Sequence, residues 1–225
     1  MRCIHAGAFQ DVTLRLIAER LLPGRHCRTF VQGELSQLRP CWHEHPRYDC
    51  RYHAFCSPHN SGASALLGEV SKTFARVIKV TTESDSLEAC ESMIVYLNAQ
   101  TWTSGATSAA FAADVERAMT LGVHLLLAHE MIGVDGQEAR AGCDFHTFFS
   151  CARGSTPQNL LRKGIYNKIA VPLKGGAWRE ASMVMMGQAL AKAPPRRSSM
   201  WPRGRLRSII AGDRHSMRET FGRHS

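Results

Sequence analysis

The stretch from Ser92 to Glu130 constrains the fold more than any other part of the chain. It reads SMIVYLNAQTW, then FAADVERAMTLG, then VHLLLAHE. An apolar run of the kind buried on both faces leads into an amphipathic helix. Gly122 ends the helix, and a second apolar run follows. Two strands joined by a crossover helix in so few residues form a parallel βαβ unit. Such a unit belongs to an α/β domain, whose ligands sit at the carboxyl ends of the strands.

The flanking sequence extends this unit. Strands are predicted at Tyr52 to Cys56, Arg76 to Thr81, Met93 to Leu97, Val123 to His129 and Ile165 to Leu173. Between them, Leu66, Leu67, Val70 and Phe74 share one face of a helix over Ala63 to Phe74. Phe111, Val115, Ala118 and Met119 do the same for Ala109 to Leu121. A single helical turn is expected at SDSLEACE, capped by Ser84 or Asp85. A short helix is expected from Thr156 to Leu161 with Pro157 at its first position, and a last helix from Trp178 to Leu190. Met131 to Leu161 is otherwise irregular, Gly-rich and aromatic at CDFHTFF, and reads either as a functional connection or as a padded loop. Five strands, each followed by a helix or helical turn, predict a flavodoxin-like parallel sheet with helices on both faces.

Three zones follow: an N-terminal appendage over 1–49, an α/β domain over 50–191 and a basic tail over 192–225. In the appendage, Phe9, Val12, Leu16, Ile17 and Leu21 recur at helical spacing until Pro23-Gly24, and CRTFVQGEL reads as a short strand. The net charge is +9, but it is unevenly placed. Nine basic and two acidic residues give the tail +7 and leave +2 for the other 191 residues. The basic character therefore belongs to the tail, read as a disordered end able to hold RNA or an anionic lipid loosely. No apolar run nears the roughly 20 residues of a membrane helix, and MRCIHAGAFQD lacks a signal-peptide core. The expectation is a cytoplasmic protein, perceived as a piece of a larger one from its abrupt start, with its eight cysteines reduced.

The order of elements resembles the Toll/interleukin-1 receptor (TIR) domain family, in its divergent protist-type form, over Tyr52 to Leu190. YHAFCSPHNSGASALLGEV resembles the opening strand, loop and first helix of that family. LEACESMIVYLNAQTW resembles the segment in which a strand ends in a small polar residue, here Asn98. FAADVERAMTLGVHLLLAHE is similar to the family's next helix and fourth strand, and AWREASMVMM to its last helix with a leading aromatic, here Trp178. The resemblance implies a signalling module that associates with itself or with other TIR-like domains and requires no cofactor. It also implies an alternative, hydrolysis of NAD at the nicotinamide–ribose bond by a glutamate on the helix after the third strand.

Counted from Ala118 and Gly122, that glutamate position falls on Asp114, and Glu116 is the nearest glutamate. A carboxylate there would stabilise an oxocarbenium-like sugar or hold the ribose hydroxyls as nicotinamide leaves. Aspartate is shorter by one methylene, about 1.5 Å. The chain departs from the family pattern twice: Ala110 and Phe111 replace a Trp-Cys pair, and only TTESDS follows the second strand where a docking loop is usual.

The loop SPHNSG supplies Ser57, His59, Asn60, Ser61 and Gly62 as candidate contacts for a phosphate or ribose, because it joins the first strand to a helix N-terminus. It is neither a G-x-G-x-x-G nor a P-loop. Lys174-Gly175-Gly176 is a further turn at a strand end. Cys41, His43, His45, Cys50, His53 and Cys56 are zinc-ligand types without a clean C-x₂-C pair, so no metal site is assigned. His124 and His129 read as packed strand residues. No G-x-S-x-G elbow is present, which excludes the commonest serine hydrolases.

Overall fold

The computed structural model of the protein describes residues 4–21, 42–47, 50–103, 105–133, 135–149 and 155–194. The tail from 195 onward, the CRTFVQGEL segment and Cys41 lie outside the described residues. Among them, α1 spans Ile4–Leu21, β1 Tyr52–Phe55, α2 Ala63–Phe74, β2 Val80–Thr81, β3 Cys90–Leu97, α3 Ala106–Thr120, β4 His124–Glu130, α4 Gln158–Arg162, β5 Val171–Leu173 and α5 Arg179–Ala191. Short 3-10 turns occupy Ser84–Ala89, Glu138–Arg140, Phe145–Phe148 and Gly176–Trp178.

The five strands form one sheet in the order β2-β1-β3-β4-β5, and every neighbouring pair is parallel. This is the flavodoxin-like architecture. All eight residues of β3 are buried, as a central parallel strand covered on both faces requires. Alternate strand residues feed two cores. Ala54, Ile94, Tyr96, Leu126 and Ala128 pack with α2 and α5. Phe55, Met93, Val95, Leu97, Leu125 and Leu127 pack on the opposite face with Phe111, Val115 and Ala118 of α3. Each large apolar side chain so buried contributes about 1.5–3 kcal/mol.

The N-terminal segment joins the first of these cores. Val12 of α1 and Trp42 are buried in it. Arg47 bonds Glu91 of β3 at 3.1 Å and the carbonyl of Ala193.

Several boundaries differ from the sequence expectation. The fifth strand is only Val171–Leu173, because Gly164 at φ 76° turns the chain and Ile165 drops into the α3-side core. Strand two is only Val80–Thr81; Ala75 closes α2 in a left-handed conformation, and just before β2 the Lys79 carbonyl accepts the His53 N–H at 2.9 Å. Strand three starts three residues early, at Cys90. Pro157 caps α4 from outside rather than occupying its first turn. The turn after β2 is a 3-10 helix whose cap position is Glu83. Ser84 is free of capping because its hydroxyl turns to α3 instead.

Candidate functional site

In this strand order the chain leaves β1 and β3 in opposite directions, which opens a crevice at their carboxyl ends. The loop after β1 crosses that crest. Ser57, at its start, is buried and donates its hydroxyl to Asp114 Oδ2 of α3 at 2.7 Å. Ser84, from the turn after β2, donates to Asp114 Oδ1 at 3.4 Å. Two strand-end segments therefore meet at one carboxylate of α3. Asp114 is 9 % exposed, and no ion pair to it occurs among the described residues. A carboxylate has about four acceptor sites, so two hydroxyl donors leave capacity for donors from a ligand.

The rest of the predicted loop divides by role. The backbone N–H of His59 donates to Ser57 Oγ at 3.1 Å, which holds that hydroxyl toward Asp114. Asn60 faces inward: its Nδ2 donates to the carbonyl of Tyr96 and its Oδ1 accepts the Tyr96 N–H, both at 2.8 Å. It thus mimics a strand partner for β3, with one amide N–H and the amide oxygen committed to the backbone. Gly62 begins α2 at φ 84°, and a Cβ there would stand 2.7 Å from Tyr96 Cε1. Only glycine permits both the backbone conformation and the ring contact. Glu116 points away from the crevice. It bonds Lys163 and accepts from Asn159 Nδ2 at 3.1 Å, tying α3 to α4. Lys163 holds its carboxyl below the usual range.

A cleft of about 340 Å³ lies on the α2/α5 side of the crest, lined in part by Ser61, Gly62, Tyr96, Asn98, Arg140 and Arg179. Beneath it is a charged cluster. Glu130 ends β4 and is 0 % exposed. Arg179 Nη1 reaches its two oxygens at 2.9 and 3.1 Å. The same guanidinium donates from Nε and Nη2 to Glu69 of α2 at 2.7 and 2.6 Å. Tyr96 donates its hydroxyl to Glu130 Oε2 at 2.8 Å. The hydrogen bonds from Arg179 depress the Glu69 carboxyl. Burial, then Glu130, pushes the Tyr96 phenol up. This cluster was not singled out from the sequence, although two signals were there. An acid directly after a buried apolar strand requires a buried partner, and an arginine in a first helical turn opposes the helix dipole unless a carboxylate answers it.

Among the Cys and His residues near β1, His53 is committed to the backbone. Its Nδ1 accepts from the Lys79 N–H at 2.9 Å, and its Nε2 donates to the His43 carbonyl at 3.0 Å. Burial lowers its pKa, consistent with a neutral ring making both bonds.

Fold and crevice together define the class: a doubly wound, flavodoxin-like α/β domain with a polar strand-end site. No protein-family model, no curated protein and no solved structure matches the chain. No helix among the described residues is long and apolar enough to cross a membrane.

Proposed function

We propose that this chain is a TIR-like module of signal transduction that works by associating with itself or with other TIR-like domains. The observation that carries this reading is the strand order, five parallel strands as β2-β1-β3-β4-β5, with the four TIR-resembling segments distributed along it in sequence. Sites, rather than folds, carry function, and the surface of this chain offers one such contact. Val77 leads into edge strand β2 and is 75 % exposed, a large apolar side chain suited to a contact between copies. Sedimentation of the full chain is expected to show concentration-dependent association that Val77→Asp weakens. A monomer at every concentration, alone and with a second TIR-like domain, would sink the reading.

A second reading, NAD hydrolysis, is favoured by one specific observation. Asp114 gathers hydroxyls from two strand-end segments and has no ion pair among the described residues. In that reading Asp114 accepts ribose hydroxyls or faces the developing oxocarbenium charge as the nicotinamide bond breaks. Ser57 positions it, and Ser61 and Gly62 border the space for the rest of the dinucleotide. Glu116 takes no part, being held by Lys163. Nicotinamide release from NAD, lost in Asp114→Ala and retained in Glu116→Ala, is the expected result. Absence of release from the associated wild-type chain would leave the binding module alone.

A further inference from the structure

A second cleft, of about 350 Å³, opens beside edge strand β5 and shares no lining residue with the strand-end cleft. His129 of β4 lines it and is 7 % exposed. Its Nε2 lies 2.8 Å from the carbonyl of Cys143. A carbonyl only accepts, so Nε2 carries the proton and Nδ1 is left as an unprotonated acceptor. No described residue donates to Nδ1. Burial lowers the pKa of this histidine, which keeps the ring neutral.

The surroundings are aromatic. Phe145 packs edge-to-face on His129 at 5.2 Å between ring centres, and Tyr166 lies 5.3 Å from Phe145. The Tyr166 hydroxyl is already engaged by Trp102 and Thr156, and Lys168 by His124 at 2.7 Å. Ile169 stands at the rim, 86 % exposed. The lining thus combines apolar and aromatic walls with an acceptor, His129 Nδ1, and the side-chain amide of Asn167. Small-molecule sites have this composition and begin at about 300 Å³.

We propose that the cleft bounded by His129, Phe145, Tyr166 and Ile169 binds a planar heteroaromatic ring that donates one N–H to His129 Nδ1. The ring gains edge-to-face and dispersion contacts from Phe145 and Tyr166. The N–H gives the cleft its selectivity, because a ring without a donor leaves Nδ1 unsatisfied. The site does not depend on the assembly or NAD readings.

Indole and benzofuran separate these contributions, since they share a shape and differ in the N–H. With the full chain, indole is expected to bind in the millimolar range of a fragment, to shift the His129 side-chain nitrogen resonances, and to exceed benzofuran by about tenfold. His129→Phe removes the preference. Ile169→Asp, at an exposed position that leaves folding intact, weakens both ligands. Equal affinity for the two rings, or no indole binding in that range, overturns the proposal. Should His129→Phe not fold, the indole-to-benzofuran ratio in the wild type and the Ile169→Asp result decide the matter.

Discussion

The two sides of the strand-end crest hold their acids by opposite means. On the α3 side, Asp114 is met only by serine hydroxyls among the described residues. On the α2/α5 side, Glu130 and Glu69 grip one guanidinium between them and Tyr96 closes the cluster. Neutral donors add no counter-charge; on the other side two guanidiniums, Arg179 and Arg140 at 3.7 Å from Glu69, balance the two carboxylates. The Arg179 cluster therefore reads as a fastener joining β4, α2 and α5, whereas Asp114 retains a field able to attract a donor or a developing positive charge. The hydrogen bonds alone would not separate these roles, since both sides are well satisfied. The balance of charge does.

The largest test of the contrast is Arg179→Ala. It strands Glu130 without its counter-charge at a fully buried position, a loss of about 3–5 kcal/mol, read from the denaturant midpoint. Adding Glu130→Gln to that variant is expected to recover part of the loss, because the uncompensated charge is gone. No recovery would mean that the cluster acts through packing instead. Asp114→Ala comes next. Loss of its two hydroxyl partners costs about 1–3 kcal/mol, and because no ion pair is broken, no second charge removal should rescue it. If it destabilises as much as Arg179→Ala, the distinction between fastener and field fails.

Gly62→Ala probes the entry to α2 beside the Tyr96 ring. A left-handed residue other than glycine costs about 1–2 kcal/mol, and the added Cβ displaces the Tyr96 ring. Thermal unfolding together with loss of the Tyr96–Glu130 bond in a structure of the variant would check it. The smallest effect is expected from pH. The folded carboxyl of Glu69 is depressed by Arg179, so its contribution is complete above the unfolded value of about 4.3 and is lost as pH falls through the lower folded value. Glu69 is partly exposed, so solvent screening keeps this contribution small. Glu69→Gln should flatten the acid limb of the stability curve slightly, and an unchanged limb would place acid sensitivity elsewhere.

Much of the architecture was legible in the sequence because period and burial are local. The apolar runs in SMIVYLNAQTW and VHLLLAHE became β3 and β4, and the Phe111–Val115–Ala118 face became the buried face of α3. Strand ends were less legible where turns depended on a single left-handed residue. Gly164 and Ala75 shortened β5 and β2 in this way. At the site, counting along α3 reached Asp114, and loop position reached Ser57, but nothing local told that the two touch.

The sequence by itself determined an α/β chain, its parallel βαβ unit and an acid on the crevice-facing side of α3, since these follow from periodicity, glycine placement and chain direction. Only the tertiary structure decided which acids are neutralised. It drew Ser57 and Ser84 to Asp114 and turned Asn60 inward to β3. It set Glu116 on Lys163, and it closed Arg179 over Glu69 and Glu130 across 110 and 49 residues of chain. Charge pairing depends on distance in space, and that distance exists only once both faces of the sheet are packed.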